Sequence, residues 1–188
     1  VCDGQLDAAT GSWELLSPSI MQIWRTADGE NWEIVTMDGF GDSRNSMALA
    51  LQAWGGYLFV GTRNDITGGE LWRSPSGAAD SWERVNLNGF GSSKNTAVTS
   101  LVEFQGMLFA GTRNWTSGAE LWRSVDGAVW TQIVQNGFGG GVNSGWVDSL
   151  VGYHGSLLVA LRNYQTGAQV WSSANSEAWQ RINPDGWG

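Results

Sequence analysis

Three tripeptides stand out for the chemistry of their side chains: Arg63-Asn64-Asp65, Arg113-Asn114-Trp115 and Arg162-Asn163-Tyr164. Each sets a guanidinium beside a carboxamide, and two of the three add an aromatic ring. A ring offers an apolar face on which a sugar can stack, and an amide both donates to and accepts from hydroxyl groups. With Asn45, Asn95 and Asn143, which recur earlier in each copy of the same pattern, these residues form a candidate ligand-binding set with the composition of a carbohydrate platform. A competing reading packs Trp115 and Tyr164 between neighbouring elements, since Trp is highly buried on average. Another makes Arg63 and Arg113 braces against Glu70 and Glu120 of the next strand, with Gln169 replacing the acid opposite Arg162.

No catalytic constellation accompanies this set. His154 is the single histidine, in a Gly-flanked YHGS turn, and Cys2 is the single cysteine, so neither a triad nor an internal disulfide can be assembled. P-loop, nucleophile-elbow and zinc-protease motifs are missing. Asp38 and Asn88, in DGFG and NGFG, lack the alternating acidic ligands of a calcium loop. The three arginines occupy equivalent places in a repeat, whereas one central catalytic site needs different residues from different units. The expectation is therefore no catalytic residue, no metal, no cofactor and no enzyme activity.

Composition narrows the partners. In 188 residues, 41% hydrophobic and 12% aromatic, there are 13 Trp and 27 Gly but only 3 Pro, which points to short aromatic strands joined by tight turns. The net charge of −8 is spread along the chain and no basic stripe exists to neutralise phosphates, so nucleic acid is not an expected partner. No apolar run approaches the roughly 20 residues of a membrane helix, so no membrane insertion is expected. The chain begins with Val, which reads as a processed product or a piece of a longer polypeptide, and an extracellular or cell-surface setting is expected.

The candidate residues lie in a repeat. LFVGTRNDITGGELWRS, from Leu58, returns as LFAGTRNWTSGAELWRS from Leu108 and as LLVALRNYQTGAQVWSS from Leu157. Trp24, Trp72, Trp122 and Trp171 are 48, 50 and 49 residues apart, and Trp32, Trp82, Trp130 and Trp179 keep the same beat. Each period holds four short apolar runs bounded by Gly, Asn and Asp turns, and none shows sustained helical periodicity. Four antiparallel strands per period of this length describe a propeller blade. The expected fold is an all-β propeller, a single domain over 1–188. It has an atypical partial blade at 1–44 and three complete blades at 45–92, 95–140 and 143–188. No strand closes the ring, so further blades, a second copy or residues 1–20 would have to do so.

SVDGAVW (Ser124 to Trp130) and TADGENW (Thr26 to Trp32) resemble the Asp-box of BNR-type repeat propellers, and the overall organisation is similar to tachylectin-like propellers. SPSGAADSW (Ser74 to Trp82) lacks the Asp, and SSANSEAW (Ser172 to Trp179) lacks both Asp and Gly. The resemblance implies that Asp28 and Asp126 tie a hairpin turn and have no catalytic role. It also implies a non-catalytic, lectin-like module taking a glycan or a protein surface as ligand. Asp-box proteins include sialidases and other glycosidases, so the alternative is a fragment of a glycosidase-like or sialidase-like propeller enzyme; a protein-interaction scaffold is a third reading.

Overall fold

The computed structural model describes residues 4–6, 13–15 and 20–187. Its sixteen strands are β1 (Gly4–Leu6), β2 (Trp13–Leu15), β3 (Ile23–Thr26), β4 (Trp32–Thr36), β5 (Met47–Trp54), β6 (Tyr57–Arg63), β7 (Leu71–Ser74), β8 (Glu83–Arg84), β9 (Ala97–Phe104), β10 (Met107–Arg113), β11 (Leu121–Ser124), β12 (Thr131–Val134), β13 (Trp146–Tyr153), β14 (Ser156–Arg162), β15 (Gln169–Ser173) and β16 (Gln180–Arg181). The fold is an all-β propeller. β5 to β8, β9 to β12 and β13 to β16 each form a four-stranded antiparallel blade paired in chain order. β3 and β4 pair as the third and fourth strands of a preceding unit, Trp24 opposite Ile34 as Trp72 is opposite Arg84. The reading of residues 1–20 as a worn copy falls mostly outside the described residues; there β1 pairs with β2 in a sheet of their own.

Blades meet where the second strand of one lies against the first strand of the next, and small residues make room for this. A Cβ on Gly61 of β6 would lie 2.8 Å from Val98 of β9, and one on Gly111 would meet Val147 of β13 in the same way. Val98 and Val147 are fully buried, in two apolar clusters that run from one blade into the next. Each such burial contributes roughly 1.5–3 kcal/mol.

An aromatic clip fastens the outer part of each boundary. Phe40, Phe90 and Phe138 take left-handed backbone conformations between glycines, φ 62°, 54° and 57°. Each ring lies on the third-strand Trp of the following blade: Phe40 on Trp72 at 4.8 Å, Phe90 on Trp122 at 4.7 Å and Phe138 on Trp171 at 5.0 Å. Each also meets the next Trp obliquely, Trp82, Trp130 and Trp179 at 5.1, 5.6 and 5.2 Å. The indole N–H groups of those three rings are buried without a hydrogen-bond acceptor.

The turn between the third and fourth strands is held by a short side chain pair. Asp126 Oδ1 accepts from the backbone N–H of Ala128 and Val129 at 2.9 and 2.8 Å, while Ser124 Oγ accepts from Gly127 at 2.8 Å. Thr26 and Asp28 repeat this with Gly29, Glu30 and Asn31. The last blade has no Asp or Gly here, yet Asn175 accepts from Glu177 and Ala178 at 3.0 Å and Ser176 takes the glycine's conformation at φ 58°. These bonds hold the Asp28 and Asp126 carboxyls below the usual carboxylate range: for Asp28 the Asn31 side chain contributes most, for Asp126 the Val129 N–H.

Candidate functional site

β6, β10 and β14 end on one rim at Arg63, Arg113 and Arg162, and each of the first two arginines is bridged to the start of the next blade, Arg63 to Ala97 and Arg113 to Trp146. Their partners are on the rim. Arg63 binds Asp65 at 2.5 Å, and Arg113 crosses the blade boundary to bind the same carboxylate. Arg113 also donates through Nε to Thr96 Oγ1 at 2.8 Å. Arg162 binds Asp148 at 2.7 Å. The bracing by Glu70 and Glu120 is thus corrected: Glu70 accepts from Asn45, Trp72 and Arg84, and Glu120 from Asn95 and Trp122.

Trp146 is the centre of the strip. The Arg113 guanidinium stands 5.2 Å from its ring and that of Arg162 4.7 Å, a double cation–π contact. Trp115 adds its ring 6.2 Å away, and Tyr164 lies 5.1 Å from Trp115. Tyr164 is 68% exposed and Trp115 36%, so the Tyr ring stands largely in solvent while Trp115 is partly packed. Trp115 rests on Gly145, where a Cβ would run into its ring. Burial pulls the Arg113 pKa down against the pull of Asp65; Asp148 first, then Tyr164, holds that of Arg162 above its usual value.

Five of the asparagines sit elsewhere. Asn45, Asn64, Asn95, Asn114 and Asn163 are all buried, and their amides are consumed by the fold. Asn114 Oδ1 accepts from the N–H of Thr116 and Ser117, and its Nδ2 donates to Asn95 at 2.9 Å. Asn64 does the same with Ile66, Thr67 and Asn45, and Asn163 with Gln165, Thr166 and Ser144. No ligand can reach them, which corrects their place in the binding set. Asn143 is half-exposed and donates to Gln165 at 2.8 Å, but Ser144 is the counterpart of Asn45 and Asn95. The connection GFGGGVNSG is one residue longer than its predecessors, and this insertion shifts the register.

With that shift the first strands align, and two residues emerge that the motif had not singled out. Met47, Ala97 and Trp146 lie opposite Arg63, Arg113 and Arg162. Two residues later each strand carries a bulge, at Leu49, Thr99 and Asp148, left unpaired by the register shift. Bulges re-aim side chains and occur beside active sites. Thr99 is buried and bonds Val147 O at 2.6 Å, whereas Asp148 points its carboxylate to the rim with 36% of the side chain exposed. A single blade thus carries an acid at the bulge where its neighbours carry Leu49 and Thr99.

No protein-family model matches the sequence, and no curated protein does. The fold is shared with solved structures at low identity. An α-L-arabinofuranosidase from Clostridium thermocellum aligns over 94% of this chain and 65% of its own, with 13% identity and a TM-score of 0.55. A mutant of the NanB sialidase from Streptococcus pneumoniae aligns over 87% and 28%, with 15% identity and a TM-score of 0.53. A prolyl endopeptidase aligns over 86% and 22%, with 10% identity and a TM-score of 0.54. The chain spans less than two thirds of the length of each. The expectation of no enzyme activity is corrected: the fold recurs in enzymes, these three among them, and so gives no ground for excluding activity.

Proposed function

We propose that these blades belong to a glycosidase-type propeller that binds a carbohydrate on the Trp115, Tyr164 and Trp146 rim and cleaves it with Asp148 at the reacting bond. The observation that carries this reading is the Asp148 bulge on an innermost strand, bonded to Arg162 and bordered by the exposed rings. Glycoside cleavage uses two carboxyl groups, one protonating the leaving oxygen and the other acting as base or nucleophile. Asp65 is the second carboxylate of the strip. The rings would hold the sugar by stacking, about 1 kcal/mol for each face covered, and the guanidiniums, each already bound to an acid, would donate remaining N–H groups to hydroxyls.

The test is hydrolysis of a panel of nitrophenyl glycosides, arabinofuranosides and sialosides included, by the purified chain and its Asp148→Asn variant. Release from at least one member, reduced about 100-fold or more by Asp148→Asn with the fold retained, is the expected result. Gly145→Ala, which displaces the Trp115 ring at an ordinary backbone conformation, should raise KM more than it lowers kcat. Equal turnover by Asp148→Asn and the parent would sink the assignment, as would no turnover or binding of any glycoside.

A further inference from the structure

The chain that leaves each fourth strand forms one wall of a cleft, and the outer strands of the following blade form the other. Between the second and third units this cleft measures about 590 Å³, within the roughly 300–1,000 Å³ that hold a small molecule. Arg84 and Leu87 line it from one blade and Trp122, Val129 and Trp130 from the next, and Phe90, stacked on Trp122, completes its apolar wall. Leu87 is 75% and Val129 68% exposed, so each blade leaves an apolar side chain in solvent at the cleft. The boundary between the first and second units has a counterpart of about 510 Å³, with Met37, Phe40, Trp72 and Trp82 at the equivalent places. The repeat therefore builds the same apolar frame twice.

Charge separates the two clefts. Arg84 lies opposite Trp72 in its hairpin, as Ile34 lies opposite Trp24 and Gln132 opposite Trp122. Asn88 likewise stands where the first cleft carries Asp38. Arg73 and Glu83 also line the second cleft, but they are paired with each other at 2.7 Å. Arg84 is then the cation of the lining that no acid of the lining matches.

The fold holds this guanidinium in place without using all of its donors. Arg84 Nη1 donates to the buried Glu70 at 3.1 Å and to Asn88 Oδ1 at 2.8 Å, whereas Nε and Nη2 make no hydrogen bond among the described residues. Nε and Nη2 form an edge that can meet both oxygens of a carboxylate in parallel bonds. The side chain is half-exposed, and its two fixed bonds reduce the ordering that a ligand must impose on it. We infer that the cleft between the second and third units binds a small aromatic carboxylic acid, its flat apolar ring against Leu87, Trp122 and Trp130 and its carboxylate on Arg84. The first cleft, with Ile34 and Asp38 in its lining, offers the same apolar frame but repels the anion.

Equilibrium dialysis against 2-naphthoate and its neutral counterpart 2-naphthalenemethanol tests this. The parent chain should bind naphthoate about tenfold more tightly than the alcohol, the difference that a charge-assisted hydrogen bond makes. Arg84→Gln copies the residue that the third unit carries beside Glu120, and it should lose the preference while still taking up the alcohol. Leu87→Glu, a change at an exposed position, should weaken both ligands with unchanged circular dichroism. A parent chain that binds the two ligands equally, or neither up to their solubility limits, overturns the proposal, and so does a preference that survives Arg84→Gln. Should Arg84→Gln fail to fold, Leu87→Glu decides: naphthoate binding that it leaves intact overturns the proposal, and loss of binding supports it. The cleft shares no lining residue with the strip around Trp146 and Asp148, so none of these outcomes bears on glycoside cleavage.

Discussion

At the scale of single residues, repetition does not mean equivalence. Arg113 and Arg162 stand at the same place in successive blades and both stack on Trp146, yet their surroundings differ. The Arg113 side chain is 7% exposed and ties three elements together through Asp65, Thr96 and Trp146, whereas that of Arg162 is 45% exposed. Truncating a buried partner strands the opposite charge, a loss moderated here because Asp65 is 44% exposed. Arg113→Ala should therefore lower unfolding stability by about 1–3 kcal/mol, while Arg162→Ala should change it by about 1 kcal/mol or less. Urea denaturation of the two variants measures both; equal losses would show that the inter-blade tie contributes nothing special.

At the scale of elements, the hairpin turns separate backbone strain from packing. Gly29 and Gly127 share a left-handed conformation, φ 80° and 72°, but a Cβ on Gly29 would meet nothing within 4 Å while one on Gly127 would lie 2.6 Å from Phe59 of the preceding blade. Phe59 is fully buried and cannot yield easily. Gly29→Ala should cost about 1 kcal/mol from conformation alone. Gly127→Ala should cost about 2–4 kcal/mol, since overpacking adds to the same strain. Thermal melts of the pair decide this, and matching shifts would mean that the Phe59 contact relaxes freely. Ser176 shows the economy of the element: at φ 58° it accepts the strain, and its hydroxyl gains a bond of 3.0 Å from Arg123 of the preceding blade.

At the scale of the whole molecule, stability runs from neighbour to neighbour, as in other repeat architectures. Each boundary between complete blades has an apolar contact from the second strand of one to the first strand of the next, and an aromatic clip further out. Phe90→Ala would remove the clip between the second and third units. We expect a loss of about 2–4 kcal/mol, scaled down from a fully buried Phe because the ring is half-exposed. Denaturation followed by far-ultraviolet circular dichroism and by Trp fluorescence should then give transitions that no longer coincide. A single coincident transition would mean that the first-strand contacts alone keep the blades cooperative.

The architecture was legible in the chain because its period is physical: every unit needs the same four apolar runs, the same turn residues and the same Trp pair to bury its faces, so LFVGTRN and GFG return on a fixed beat. The hairpin turns could be read from TADG and SVDG for the same reason, as local bonds demand local residues. The candidate site could be read only in part. Trp115, Tyr164 and the arginines followed from composition, but the buried asparagines beside them had the same polar character, and only packing shows that their amides are spent on Thr116, Ser117 and their counterparts. Arg113 finds Asp65, 48 residues earlier, across a boundary that the sequence does not mark. Asp148 stayed hidden because one inserted residue shifts its copy out of register, and because a bulge, which decides where its carboxylate points, is a property of two paired strands and of neither strand alone.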